Sequence, residues 1–199
     1  MLKLGLTGGI GTGKTTVAKI FETLNVPVYY SDYWAKYLTN NNSEIIIKLK
    51  NEFGKNIYLD NGELNKVKLS ELIFGNKSVL LKVNEIIHPV VRSHFDNWVK
   101  NKKKQGSKYI IKEAAILFES GANKQVDKVI IVASQKDIRI KRLLKRDRTS
   151  IAEIEKRMNS QMPEEEKISL SDYVIFNNEN ELLIPQVLEL HKLFNKKQE

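Results

Sequence analysis

A glycine-rich loop near the N-terminus constrains the fold of this chain more than any other stretch. Residues 8–15 are Gly-Gly-Ile-Gly-Thr-Gly-Lys-Thr, which matches the G-x-x-x-x-G-K-[ST] pattern of a phosphate-binding loop. The mostly apolar residues 2–7 predict a strand before the loop, and residues 16–24 carry apolar side chains at helical spacing after it. This order of strand, loop and helix predicts a binding site for a nucleoside triphosphate.

Each part of the loop has an expected role in that site. The glycines permit a turn in which successive N–H groups point at phosphate oxygens. Lys14 adds a full positive charge beside the positive end of the helix dipole, and the Thr15 hydroxyl is the predicted magnesium ligand. The predicted nucleotide-binding residues are Gly8, Gly9, Gly11, Thr12, Gly13, Lys14, Thr15 and Thr16.

The composition excludes several classes of protein. The 199 residues include no cysteine, which excludes disulfides, thiolate metal sites and cysteine nucleophiles. No apolar run approaches the roughly 18 residues of a membrane span. The glycine loop also begins too early to leave room for a signal peptide. We therefore expect a cytoplasmic protein without membrane contacts.

The net charge of +9 has two interpretations. It suits a nucleic-acid-binding surface, and it equally suits a lysine-rich exterior around a pocket for polyphosphate ligands. Aromatic residues are not interleaved with the basic runs, as stacking on bases would favour. The second interpretation is preferred, and no nucleic-acid partner is expected.

The pattern of apolar segments predicts an α/β fold with a five-stranded parallel sheet. Between the second and third strands, residues 33–105 form a mostly helical block with breaks that include Gly75-Asn76, and one helix is expected to end at His88-Pro89. This block is too long for a simple crossover, so it predicts a helical insertion that holds an acceptor substrate. The predicted strands are 2–7, 27–32, 108–113, 126–133 and 173–176.

Missing motifs narrow the chemistry. The chain has no Asn-Lys-x-Asp element for reading guanine and no Leu-Ser-Gly-Gly-Gln segment of a transporter ATPase. What remains is a phosphotransferase that acts on a small molecule.

Two acidic residues are placed by the predicted strands. Asp32, expected at the end of the strand beside the loop strand, is suited to accept the proton of an attacking hydroxyl group. A helix N-cap is an equally open interpretation of Asp32. Glu113 closes the third strand, where it either orders magnesium through water or faces solvent.

Basic residues complete the predicted site. Arg139, Arg142 and Arg146 share a helix face by their spacing and are predicted to belong to a mobile lid over the triphosphate. The alternative is a solvated basic face. His88 and Arg92, four residues apart, are predicted to contact the acceptor substrate, with structural or solvated roles left open.

Several stretches together resemble the dephospho-CoA kinase family, in the right order along nearly the whole chain. The opening Thr-Gly-Gly-Ile-Gly-x-Gly-Lys is more specific than a generic phosphate loop. The resembling residues are 5–15, Asp32, 88–92, 117–119, Gln135, Arg139, Arg142, 146–147, Arg157, Gln161, 172–175 and Asn177.

The resemblance implies an ATP-dependent transfer to the 3′-hydroxyl group of dephospho-CoA, with Asp32 and Lys14 as catalytic residues. It implies a fold of the nucleoside-monophosphate-kinase type, with the helical block as the acceptor-binding insertion and the arginine segment as the lid. With the segment pattern, this gives a core of residues 1–32, 106–138 and 170–199, an insertion at 33–105 and a lid at 139–169. We also expect Mg²⁺ and a monomeric state. One departure concerns Glu113, which stands where the family often has an aspartate followed by a proline two residues later. A kinase for another metabolite and a nucleic-acid-binding ATPase remain the alternatives.

Overall fold

The strand that leads into the glycine loop lies at the centre of the sheet. The computed structural model describes residues 1–74 and 76–196, and its five strands are all parallel, in the order β2-β3-β1-β4-β5. The predicted five-stranded parallel sheet is therefore confirmed. The strands are β1 (Leu2–Thr7), β2 (Val28–Tyr30), β3 (Tyr109–Glu113), β4 (Lys128–Ala133) and β5 (Tyr173–Phe176).

The expected position of Asp32 at a strand end is wrong in two respects. The strand β2 ends at Tyr30, because residues from Ser31 onwards are helical and Asp32 lies in a first helical turn. The strand β2 also pairs with β3 rather than with β1. The neighbours of the loop strand are β3 and β4, so the acidic residue that ends an adjacent strand is Glu113.

The chain divides into two units, residues 31–100 and the remainder of the described chain. In the unit with the sheet, an apolar core joins β1, β3 and β4 to two helices, α1 (Lys14–Thr23) and α9 (Leu183–Asn195). Leu6, Phe21 and Val187 are fully buried there. Burial of a side chain of this size stabilises the fold by roughly 1.5–3 kcal/mol.

Three further helices of this unit follow β4. They are α6 (Lys136–Asp147), α7 (Ile151–Asn159) and α8 (Glu164–Ser169). Ser150 is the N-cap of α7, and its hydroxyl accepts a hydrogen bond from the Glu153 N–H at 3.2 Å. Pro185 lies in the first turn of α9, where a missing N–H costs no helical hydrogen bond.

Residues 31–100 form a helical unit with a core of its own. The helices are α2 (Ser31–Asn41), α3 (Ser43–Phe53), α4 (Lys66–Ile73) and the greater part of α5 (Lys77–Lys104). Ile45, Leu49 and Ile57 are fully buried in the core. The unit begins at Ser31 and ends at Lys100, whereas the insertion was predicted to span residues 33–105. The role of this unit in acceptor binding stays a prediction.

The helix end expected at His88-Pro89 is absent. The helix α5 continues past Pro89 to Lys104 and has 28 residues in all. A proline inside a helix costs roughly 3 kcal/mol, but Val83, Val91 and Phe95 lie on one face of α5 and are all buried. Their burial outweighs the lost hydrogen bond. The other expected break, at Gly75-Asn76, rests on Gly75, which is outside the described residues.

Candidate active site

The glycine loop has the backbone shape that its sequence predicts. It joins Thr7 at the end of β1 to Lys14 at the start of α1. Gly13, at the helix N-cap, has a φ of 94°, a conformation that side chains disfavour. A Cβ atom at this position would also overlap Nδ2 of Asn177. Glycine at position 13 is therefore required by the backbone, and it also leaves room for the Asn177 side chain.

The first turn of α1 presents polar groups suited to a phosphate. Gly13, the N-cap residue, provides no side-chain cap, and the side chains of Thr15 and Thr16 are exposed. A helix N-terminus carries the positive end of the helix dipole and N–H groups directed along the axis. The turn can therefore receive an anion.

Lys14 and Thr12 both contact the loop itself. Lys14 Nζ donates to the main-chain oxygens of Gly8 at 2.9 Å and Gly9 at 3.1 Å. Thr12 is fully buried, and its hydroxyl donates to the Gly9 oxygen at 2.9 Å. The Thr12 side chain thus supports the loop from within, while the Lys14 ammonium group lies beside the loop backbone.

Glu113 is the last residue of β3, which pairs with β1. It is paired in register with Leu6 on one side and Tyr30 on the other. Glu113 is 6% exposed, so it does not face solvent. Burial, the hydrogen bond to Glu22 and the charge of Glu113 together raise the pKa of Tyr30.

The three predicted lid arginines have different surroundings. Arg139 is buried, and its Nη1 contacts Glu164 at 2.6 Å. Arg142 is half-buried and donates from Nη2 to the Asn177 main-chain oxygen at 3.0 Å. Arg146 is exposed and pairs with Asp147 at 2.6 Å.

Asp147 joins the ends of the two helices of the predicted lid. It accepts hydrogen bonds from Arg146, next to it on α6, and from Arg157 on α7 at 2.7 Å. These bonds, Arg146 first, hold the pKa of the Asp147 carboxyl far below its ordinary value. Asp147 therefore remains ionised and keeps the two helices connected at neutral pH.

Asp32, His88 and Arg92 belong to the helical unit. All three side chains are exposed. His88 and Arg92 share a face of α5, as their spacing predicts. The structure thus places these three residues in one unit. The glycine loop, Glu113 and the three predicted lid arginines lie in the other unit.

An aromatic cluster in the helical unit was not predicted from the sequence. The Trp34 ring lies 4.3 Å from the His94 ring, centroid to centroid, and Tyr33 and Tyr37 stack at 6.3 Å. Burial lowers the pKa of His94. The spacing of Tyr33 and Tyr37, four residues apart on α2, was the available signal.

Two contacts of the glycine loop also escaped the residue patterns. Gln161 and Asn177 are named among the sequence features only through the family resemblance. In the structure Gln161 Oε1 accepts the Ile10 N–H at 2.9 Å, and Asn177 Nδ2 donates to the Thr12 oxygen at 2.7 Å. No local spacing rule reports contacts between residues so far apart in sequence.

A family model described as dephospho-CoA kinase matches residues 2–182, a span that includes the loop and Asn177. The chain belongs to the dephospho-CoA kinase family. It is 38% identical over 189 residues to the dephospho-CoA kinase of Bacteroides fragilis, covering 95% of this chain and 91% of that protein. Identity to the Bacillus anthracis enzyme of that name is 35% over 175 residues, with 88% of each chain covered.

Three solved structures resemble this chain in fold. Dephospho-CoA kinase from Campylobacter jejuni superposes with a TM-score of 0.72 at 25% identity, over 98% of this chain and 97% of that one. The protein TT1252 from Thermus thermophilus gives a TM-score of 0.84 at 26% identity, over 98% of both chains. Shikimate kinase from Acinetobacter baumannii shares the fold, with a TM-score of 0.53 at 14% identity over 99% and 96% of the two chains.

Membership of the family defines the chemistry in broad terms. Dephospho-CoA kinases are transferases of coenzyme A biosynthesis, and this family member phosphorylates dephospho-CoA with ATP as co-substrate. Within residues 1–74 and 76–196, no helix is both long and apolar enough to cross a membrane. The same residues hold no cluster of three or more acidic or histidine side chains suited to a metal ion.

Proposed function

We propose that this chain transfers the terminal phosphoryl group of ATP to the 3′-hydroxyl group of the dephospho-CoA ribose. The products are coenzyme A and ADP. The match to dephospho-CoA kinase over residues 2–182 carries the proposal. The shape of the glycine loop and the exposed polar turn after it support the donor half of the reaction.

The donor half rests on the loop and on Lys14. The N–H groups of the loop and of the first turn of α1 bind the phosphate oxygens. Lys14, held beside the loop by Gly8 and Gly9, adds the charge that offsets the negative charge of the transferring group. Gly8, Gly9, Gly11, Thr12, Gly13, Thr15 and Thr16 complete the proposed nucleotide-binding set.

The residues at the loop fit a magnesium ion held mainly by phosphates and water. Mg²⁺ in kinases usually keeps several water ligands and takes only one or two side-chain oxygens. Thr15 offers an exposed hydroxyl group, and Glu113 offers a carboxylate at the end of the strand next to β1. A magnesium ion held by these residues would offset the negative charge of the phosphate groups.

The acceptor half is assigned to Asp32. The ribose oxygen forms a bond to the γ-phosphorus, the bond from that phosphorus to the bridging oxygen breaks, and ADP leaves. Asp32 accepts the proton that the hydroxyl group loses. Its exposed carboxylate, in the first turn of α2, suits this role.

His88 and Arg92 are proposed to bind the acceptor, which carries phosphate groups that an arginine recognises.

Arg142 and Arg146 are proposed as lid residues that approach the triphosphate. Arg146 is exposed on α6, and guanidinium groups suit bidentate contacts to phosphate oxygens.

We also propose that the protein is a cytoplasmic monomer. Its positive charge would serve to bind phosphate-bearing substrates rather than nucleic acid. Steeply salt-dependent DNA or RNA binding would contradict the last point.

The proposal is tested by an ADP-release assay with ATP, Mg²⁺ and a panel of acceptors. The panel contains dephospho-CoA, its 2′-deoxy and 3′-deoxy analogues, a nucleoside and a nucleoside monophosphate. We expect turnover with dephospho-CoA and its 2′-deoxy analogue and none with the 3′-deoxy analogue. Turnover of the 3′-deoxy analogue would overturn the acceptor position, and activity with the nucleoside or its monophosphate alone would overturn the acceptor itself.

A further inference from the structure

Both backbone polar groups of Ile10 are held by side chains from a distant part of the chain. The Ile10 N–H donates to Gln161 Oε1 at 2.9 Å, and the Ile10 oxygen accepts from Arg139 Nε at 2.9 Å. Ile10 lies inside the phosphate loop, whereas Arg139 is the first residue of the predicted lid, 139–169, and Gln161 lies in the C-terminal part of that segment. The peptide groups around Ile10 are thus the point where two distant parts of the predicted lid contact the loop.

The guanidinium group of Arg139 is enclosed by the protein. Its side chain is 10% exposed, and Nη1 contacts Glu164 Oε2 at 2.6 Å while Nε binds Ile10. The Nη2 atom lies so close to Gly9 that a Cβ there would overlap it. The Arg139 guanidinium group thus contacts Glu164 and the backbone of the glycine loop.

Glu164 is itself held in place. Its Oε1 accepts the Ser134 N–H at 3.1 Å, so the carboxylate joins the end of β4 to Arg139. Burial raises the pKa of Glu164, and the charge of Arg139 opposes this shift without cancelling it. Because its two oxygens contact Ser134 and Arg139, the glutamate anchors Arg139 in one orientation.

We propose that Arg139 is a positioning residue that holds the phosphate loop in its ATP-binding shape through Ile10, with Glu164 as its anchor. Arg139 acts on the loop, and Gln161, in the C-terminal part of the predicted lid, binds the same loop residue. A loop that is already ordered loses less conformational entropy when the triphosphate binds. The inference rests on the proposed function only in that the loop binds ATP.

The experiment measures ATP affinity by calorimetry with Mg²⁺ and without any acceptor, together with kcat and the melting temperature. Arg139→Lys keeps the charge next to Glu164 but cannot reproduce both the Nε contact and the Nη1 contact. Glu164→Gln keeps the shape of the anchor and removes its charge. Lys141→Met is the matched control, because Lys141 lies on the same helix in an exposed ion pair with Glu179.

We expect the Kd for ATP to rise about tenfold in Arg139→Lys and several-fold in Glu164→Gln, which corresponds to the loss of a buried hydrogen bond. The kcat value should stay within about threefold of wild type in both variants, and the control should match wild type throughout.

Two results would overturn the proposal. A fall in kcat of about a hundredfold in Arg139→Lys with little change in Glu164→Gln would show that Arg139 acts on the transferring phosphoryl group. A lower melting temperature with unchanged ATP affinity would show a merely structural ion pair. Because the affinity arm uses no acceptor, it decides the matter even if the wild-type chain fails to phosphorylate dephospho-CoA.

Discussion

Asn177 donates from Nδ2 to the main-chain oxygen of Thr12 at 2.7 Å. Thr12 belongs to the glycine loop, and Asn177 directly follows the edge strand β5. The Asn177 main-chain oxygen in turn accepts a hydrogen bond from Arg142. The end of β5 therefore connects the loop to a helix of the predicted lid.

Asn177→Ala should lower both the stability of the protein and its affinity for ATP. The Thr12 oxygen loses its donor, which costs about 1–2 kcal/mol in the free energy of unfolding. We also expect the Kd for ATP to rise about fivefold to tenfold, because the loop is less ordered. Urea unfolding and calorimetry measure the two effects. Asn180→Ala, at an exposed position of the same loop, is the control, and equal behaviour of the two variants would disprove the support role.

Lys14→Ala should remove most of the turnover. Its ammonium group is proposed to stabilise the charge on the transferring phosphoryl group, so we expect kcat to fall by about 10²–10³. Steady-state ADP release measures this. Lys19→Ala, at an exposed position of the same helix, should keep the wild-type rate. A near-normal rate in Lys14→Ala would refute the assignment.

Asp32→Asn should separate catalysis from nucleotide binding. The amide cannot accept the ribose proton, so kcat should fall by about a hundredfold or more while the Kd for ATP stays unchanged. A carboxylate in a first helical turn also stabilises its helix by roughly 0.3–1 kcal/mol. Glu44→Gln, in the first turn of α3, is the matched control for that effect. If both variants keep a near-normal rate, Asp32 serves the helix end rather than the reaction.

A buried ion pair makes the stability of the protein depend on acid pH. Lys167 is fully buried and lies 2.8 Å from Glu119, which also accepts the Met162 N–H. Burial tends to raise the pKa of Glu119, but the hydrogen bonds from Lys167 and Met162 outweigh it, so the pKa is lowered. The pair therefore stabilises the fold above the ordinary glutamate pKa of about 4.3, and this stability is lost as the pH falls below that value.

Glu119→Gln should lower the free energy of unfolding by about 3 kcal/mol at pH 7, since a buried lysine loses its charged partner. The same variant should show a weaker loss of stability between about pH 5 and pH 3 than wild type. Urea unfolding across this range measures both quantities. Glu165→Gln, on the exposed face of α8, should follow the wild-type curve. An unchanged pH profile in Glu119→Gln would assign the acid sensitivity to other carboxylates.

Local rules accounted for the features whose partners lie within a few residues. The glycine loop after β1 depends on neighbouring backbone geometry alone, and it was predicted. The assumption that Pro89 ends a helix was also local, and it was wrong. The burial of Val83, Val91 and Phe95 depends on the core around them, which a helix-breaking rule does not include.

The sequence by itself determined the phosphate loop, the parallel sheet and the family, because strand–loop–helix patterns and motif spacing are properties of short segments. Only the tertiary structure decided that β3 lies between β2 and the loop strand, and that Glu113 rather than Asp32 ends the strand next to β1. Only the tertiary structure placed Arg139 against Ile10 and Glu164. Strand order and contacts across more than a hundred residues follow from how segments pack together, and the residues of one segment do not encode that packing alone.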